Sequence, residues 1–333
     1  MRVVGPFGGH VGDPALDALL SERLDAVEEL LHESVRSDDA FVGEVAAHLV
    51  QAGGKRFRPL LVLLAAQFGP DPAAPGVVPA AVVVELTHLA TLYHDDVMDE
   101  APLRRGAPSA NARWDNTVAI LTGDFLFARA SHLLADLGPE AVRIQAKTFE
   151  RLVSGQIHET TGPAAGEDPL EHYLGVVADK TGSLIATSGR FGALMAGADR
   201  PTVETLTRFG ELVGAAFQLS DDLLDVESET AESGKTPGTD LREGIPTLPV
   251  LHALRSRDPA DARLVELLSR PLPDDAEHAE ALALLRAHPA MAAARADLRR
   301  RADAAREALM TLPVTPARAA LEQLCDVLVG RSG

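Results

Sequence analysis

Apolar residues return every three or four positions along almost the whole of this 333-residue chain. The first stretch shows the pattern clearly. Leu16, Leu19, Leu20, Leu24, Val27, Leu30 and Leu31 line one side of a helix that follows Asp13-Pro14, with Asp13 placed to cap it. The same spacing predicts helices over about 39–52, 58–68, 76–98, 109–136, 138–161, 168–178, 180–197, 200–228, 246–256, 259–269, 275–287, 288–310 and 316–329. Pro70, Pro72, Pro75, Pro102, Pro108, Pro139, Pro201 and Pro237 mark breaks between them. No stretch alternates with a period of two over a strand's length. The pattern predicts an all-α chain without repeats and without an inter-domain linker.

The pattern lapses at Glu100–Pro108 and Glu227–Pro246, which stay polar and rich in Gly or Pro. The second is long for a loop in a compact domain, and such loops tend to be functional. Each follows directly on an acidic cluster. The first cluster is Asp95, Asp96 and Asp99; the second is Asp221, Asp222 and Asp225. Both have the form Asp-Asp-x-x-Asp. On a helix the first and last carboxylates share one face, and the middle one lies about 100° round the axis. Like charges at this spacing destabilise a helix, and acidic groups are unfavourable at its C-terminal end. One such motif would pass as a solvated helix end. Two, each ending a strongly apolar helix, point to bound divalent cations. Carboxylates are hard oxygen ligands suited to Mg²⁺, which keeps waters and bridges to phosphates.

Basic residues answer the clusters. Gly53-Gly54-Lys55-Arg56-Phe57-Arg58-Pro59 sets three cations beside a flexible glycine pair. Arg104 and Arg105 follow Asp99, and Arg suits bidentate phosphate contact. Lys180-Thr181 and Gly234-Lys235-Thr236 come later. The latter is not a Walker A loop, because the required Gly is replaced by Glu229. His88 lies two turns before Asp95, on the same face, and is placed to donate to a diphosphate.

Composition narrows the class. Residues are 46% hydrophobic but only 4% aromatic, so the core is built from Ala, Leu and Val, which favours helices. A formal charge of −18 argues against nucleic acid as a partner. The single cysteine, Cys325, forms no internal disulfide, which fits a cytoplasmic location. No apolar run reaches the ~18 residues that span a bilayer, so no transmembrane segment is expected, and transient membrane contact at product release is compatible with that. Met1–Pro14 lacks the layout of a signal peptide; residues 1–12 read as a flexible tail and 13–333 as one catalytic domain.

Taken together the motifs resemble the trans-isoprenyl diphosphate synthase (polyprenyl synthetase) family. They run in order as Gly-Gly-Lys-Arg-x-Arg-Pro, His-Asp-Asp-x-x-Asp, Arg-Arg-Gly, Lys-Thr, Phe-Gln-x-x-Asp-Asp-x-x-Asp and Gly-Lys-x-x-Gly-x-Asp-Leu. Within the family, the stretch from Leu89 to Asp99 looks like actinobacterial long-chain members. The resemblance implies a single large antiparallel helical bundle around a central cavity, assembled as a homodimer. It implies three Mg²⁺ ions, with Asp95 and Asp99 holding two on the allylic diphosphate and Asp221 the third. Asp96, Asp222 and Asp225 would support them in catalysis. Lys55, Arg58, His88 and Arg105 would bind isopentenyl diphosphate. Arg104, Lys180, Gln218 and Lys235 would hold the allylic diphosphate (geranyl, farnesyl or geranylgeranyl), with Thr181 beside them.

Product length has its own argument. Counting back from Asp95 by four or five residues gives Thr91 and Ala90, then Thr87, then Val84 and Val83. One turn rises about 5.4 Å, similar to one isoprene unit. In the family, aromatics just before the first motif stop the chain. Here the nearby aromatic, Tyr93, points off this stripe. A long all-trans product of roughly C35 to C50, suited to a quinone side chain, is expected from that helical geometry. Alternatively Leu126, Phe127 and Leu133 supply a floor, and a medium-chain geranylgeranyl product results. A class I terpene cyclase is disfavoured by the second Asp-Asp-x-x-Asp. A non-catalytic subunit of a heteromeric synthase would be expected to have lost metal ligands, and none is lost.

Overall fold

Helix α1 (Pro14–Ser34) begins where the Asp13 carboxylate accepts hydrogen bonds from the Ala15 and Leu16 N–H groups. Asp39 caps α2 (Ala40–Gln51) in the same way. The computed structural model describes residues 12–227 and 237–331. The expected flexible tail therefore lies outside the described residues, save Gly12, as does Lys235. The described chain forms two compact units. One takes in residues up to Glu150, Leu184–Gly210 and Leu309–Gln323; the other takes in Arg151–Ser183, Glu211–Ala308 and the chain from Leu324.

The first unit contains α1, α2, α3 (Phe57–Ala66), α4 (Val77–Met98), α5 (Ala110–Arg113) and α6 (Asn116–Leu137). It also holds the start of α7 (Pro139–Thr161) and most of α9 (Ser183–Met195). Helix α4 is its spine, packed against α1, α3 and α6. Every residue from Ala80 to Thr87 is buried. Tyr93 fastens α4 to α2: its hydroxyl donates to Val45 O at 2.6 Å and accepts from Leu49 N at 3.2 Å.

The second unit holds α8 (Pro169–Val177), most of α10 (Arg200–Glu227), α11 (Thr239–Glu243), α12 (Leu248–Leu254), α13 (Ala262–Leu268), α14 (Asp275–Ala287) and α15 (Pro289–Leu309). The last helix is α16 (Pro316–Gly330). Leu267, Leu272 and Ala281 form one of its core clusters.

Four details differ from the periodicity. The single helix expected over 109–136 is broken at Trp114, and Asp115 caps α6 through Val118 N. The polar stretch after Asp99 folds as a hairpin of β1 (Leu103–Arg104) and β2 (Ala107–Pro108). Its turn residues Arg105 and Gly106 have φ of 54° and 78°, as a type I′ turn requires. Two-residue strands are too short to show alternation. Thirdly, helices α8 and α9 are joined without a break by a π-helical turn, Ala178–Gly182, which carries Lys180-Thr181. Finally, among the described residues two helices, α4 and α6, are long and apolar enough by composition to cross a membrane, where none was expected. Most of the relevant α4 window is buried, so its apolarity belongs to the core. Helix α6 is only one-third buried, and it exposes Ile120 and Leu121.

Tyr93→Phe removes the α2–α4 link without changing volume. Urea unfolding should show a loss of about 1 kcal/mol at an unchanged slope.

Candidate active site

The first unit gathers cations around the start of α3. Gly53 and Gly54 follow α2, with Gly53 at φ 82°. A Cβ on Gly54 would lie 2.9 Å from Arg56 Nη1 and 3.0 Å from Arg105 Nη1. Only glycine lets two guanidinium groups close on this backbone. Arg56, itself at φ 49°, is buried and spent on structure. It pairs with Glu28 at 2.7 Å and Glu85 at 2.9 Å and donates to Val50 O at 3.2 Å. Arg105 donates to Leu49 O at 3.1 Å and to Gly53 O.

Arg58 differs. Its buried Nε has no acceptor among the described residues. Burial lowers its pKa to about 10, with Arg105 adding to the fall against the pull of Glu85. His88 is lowered well below its ordinary value, first by burial and then by Arg58, Arg105, Arg104 and Arg56. A neutral imidazole near a guanidinium whose Nε lacks an acceptor among the described residues forms a site that an anion would complete. Lys55 is exposed beside them.

The hairpin adds Arg104, whose Nε meets Asp96 Oδ1 at 2.5 Å. Asp96 is fully buried, its other oxygen has no hydrogen-bond partner among the described residues, and burial raises its pKa while Arg104 opposes the rise. Its backbone carbonyl accepts from Ala101 N and from Asn111 Nδ2, each at 3.0 Å. Asp95 is half-buried, and Asp99 is exposed at the C-cap of α4. The middle aspartate thus faces inward and its two neighbours outward.

Of the expected wall positions, only Thr91 keeps accessible surface. Thr87 is fully buried; its hydroxyl donates to Val83 O and accepts from Gln145 Nε2, both at 2.8 Å. Ala90 is buried because Gly123 brings α6 close: a Cβ there would lie 3.0 Å from Ala90 O. Val83 and Val84 are also fully buried. The Phe127 ring packs tilted against Phe149 at 4.4 Å between centroids and lies 5.9 Å from the His94 ring.

In the second unit, Asp222 is buried and accepts three hydrogen bonds. These come from Tyr173 OH, from Leu248 N at 3.1 Å and from Gln218 Nε2 at 3.2 Å. Burial lifts its pKa to about 6, and the three donors oppose the rise. Gln218 Oε1 accepts from Thr181 Oγ1 at 3.2 Å, so the Gln218 amide is engaged on both sides. Asp225 caps α11: its two oxygens accept from Thr239 N and Asp240 N, each at 3.2 Å. Asp221 is half-buried and pairs with Arg331 at 3.3 Å. Lys180 pairs with Glu159. Sequence reasoning missed Tyr173 and Arg331. Tyr173 lies 49 residues from Asp222, and no local pattern connects them.

Over residues 39–285 the sequence matches the family model described as Polyprenyl synthetase. It is 53% identical, over 98% of this chain and 97% of the other, to nonaprenyl diphosphate synthase of Mycobacterium tuberculosis. The chain belongs to the polyprenyl synthetase family. Two solved synthases share its fold. Geranylgeranyl pyrophosphate synthase from Corynebacterium glutamicum, complexed with calcium and isoprenyl diphosphate, superposes with a TM-score of 0.89 at 49% identity. That match covers 97% of this chain and 99% of the other. A decaprenyl diphosphate synthase from Rhodobacter capsulatus gives 0.87 at 37% identity, over 96% and 99%. This polyprenyl synthetase is therefore a trans-prenyltransferase with the expected all-α fold.

The donor set fits Mg²⁺. No cluster of three or more His, Cys, Asp or Glu poised for a metal occurs among the described residues. Mg²⁺ does not need such a cage, since one or two carboxylates plus substrate phosphates suffice. Asp95, Asp99 and Asp221 keep accessible surface. Asp96 and Asp222 do not.

Binding of an anion beside His88 should raise its depressed pKa. Affinity should then grow as pH falls, and binding should take up protons between the depressed pKa of the free protein and the higher pKa of the complex. Calorimetry with inorganic diphosphate in buffers of different ionisation enthalpy checks this. The proton uptake should exceed that of His88→Gln, and equal uptake would count against the site.

Proposed function

We propose that this chain condenses isopentenyl diphosphate with an allylic diphosphate and repeats the step to a product of roughly C35 to C50. The observation that carries the reading is Arg58, whose buried Nε has no acceptor among the described residues, near Arg105 and neutral His88 and in the same unit as Asp95 and Asp99. Such a cluster suits the diphosphate of isopentenyl diphosphate. Asp95 and Asp99 are assigned two Mg²⁺ ions on the allylic diphosphate, and Asp221 a third. Arg104 and Lys180 are assigned the same diphosphate, although each is paired with an acid in its absence. Lys235 keeps its assignment from the sequence.

Bound Mg²⁺ supplies neutralisation of the charge that builds on the leaving diphosphate. The allylic C–O bond breaks and the diphosphate leaves with the electron pair. The isopentenyl double bond attacks the allylic carbon, forming the new C–C bond. A proton is then lost to the departed diphosphate, setting the trans double bond. No protein nucleophile is needed. Arg58, Arg105 and His88 hold the isopentenyl diphosphate still, which makes the encounter effectively unimolecular.

The relatives support a long product, since nonaprenyl and decaprenyl synthases are among them. Thr91 is the wall position that remains accessible. One observation favours the medium-chain reading: the Phe127–Phe149 ring pair is a ready stop for a growing chain. The exposed Ile120 and Leu121 on α6 support a second copy of the chain as partner.

Isopentenyl plus farnesyl diphosphate with Mg²⁺, followed by chromatography of the dephosphorylated products, tests the proposal. Chains of roughly C35 to C50 are expected, and Thr91→Phe should shorten them because a ring one turn from Asp95 narrows the path. A C20 product from the parent would favour the medium-chain reading. Asp95→Ala or Asp221→Ala should cut turnover by about 10²-fold or more with far-UV circular dichroism unchanged. Near-normal turnover in both would refute the metal assignment.

A further inference from the structure

Four hydrogen bonds of the second unit form a continuous chain around Asp222. Thr181 donates to the Gln218 carbonyl, the Gln218 amide donates to Asp222, and the Tyr173 hydroxyl donates to the same carboxylate. Leu248 N closes the set. Every donor near the carboxylate runs toward Asp222, so its charge fixes the polarity of the chain. A flipped Gln218 amide would set a carbonyl against the carboxylate, which this arrangement forbids.

Packing alone does not account for Tyr173. If only the ring mattered, phenylalanine would serve. The hydroxyl instead makes a charge-assisted bond to a buried acid, a contact roughly twice as strong as a neutral one. Its partners join three places in sequence: α8, the π-helical turn with Lys180-Thr181, and α10 with Asp221. Asp222 is next to Asp221 on α10, so fixing one fixes the rotation at which the helix presents the other.

The geometry points to Tyr173 as a positioning residue: through Asp222 and Gln218 it holds Asp221 and Thr181 in register for a metal-bound diphosphate. This rests on the proposed reading of Asp221 as a metal ligand. Tyr173 itself is not placed against substrate; it acts through the carboxylate.

Tyr173→Phe tests this, with the rise in Tm on adding Mg²⁺ plus inorganic diphosphate as the main readout. The variant should fold with an unchanged circular dichroism spectrum and lose most of that rise. In turnover, its half-saturating Mg²⁺ should increase about tenfold, while KM for isopentenyl diphosphate stays within about twofold. A purely structural role would lower Tm and leave the Mg²⁺ response intact. If Tyr173→Phe does not fold, Thr181→Val breaks the other end of the chain and should also lose the response. A parent that responds while Tyr173→Phe, or in its place Thr181→Val, responds equally overturns the role of Tyr173 alone. A parent that shows no response to Mg²⁺ and diphosphate overturns the reading of the site and this inference with it.

Discussion

In both aspartate motifs the middle carboxylate is buried, and the rest of the site depends on how it is held. An ionised group taken out of water is costly unless it is paired and hydrogen-bonded. Asp96 is met by Arg104, and Asp222 by Tyr173, Leu248 N and Gln218. Each anchor fixes the rotation of its helix. The outer carboxylates, about 100° round the axis, are then presented on an accessible face. An Asp-Asp-x-x-Asp motif is thus two kinds of residue. One carboxylate ties the helix down; of the outer ones Asp95, Asp99 and Asp221 keep accessible surface, while Asp225 caps α11.

The cations of the first unit obey the same economy of partners. Arg56 is consumed by Glu28 and Glu85, which brace α3 against α1 and α4. Arg58 feels Glu85, yet its buried Nε finds no acceptor among the described residues, and His88 faces arginine charge. Backbone strain gathers in the same segments: among the described residues the non-glycine positive φ angles are at Arg56, Glu100 and Arg105. Each such residue costs of order 1–3 kcal/mol and persists where its surroundings over-determine it. Here the two arginines make several directed bonds apiece. The net charge of −18 is no obstacle to anionic substrates, because the field at the site is set by this local cluster and not by the sum.

Much of this could be read from the sequence, because it depends on local spacing. The helices follow the 3.6-residue period, and the split of each motif into a pair and a third carboxylate follows from helical angles. Tyr93 lies off the Asp95 stripe, as its position two residues earlier requires. What the sequence hid depends on partners far along the chain. Ala90 and Thr87 have the sizes expected of a wall, yet Gly123 and Gln145 bury them. The hairpin that aims Arg104 is set by Arg105 and Gly106 in a turn too short to leave a periodic signal. Tyr173 looks like an ordinary helix residue until α10 is beside it.

The division of labour among the six aspartates is tested most directly by locating the metal. Crystals grown with Mn²⁺ and inorganic diphosphate would reveal it by anomalous scattering. The account predicts Mn²⁺ bound to the carboxylates of Asp95, Asp99 and Asp221, with the Asp96–Arg104 and Asp222–Tyr173 contacts intact. Mn²⁺ coordinated by Asp96 or Asp222 would contradict it.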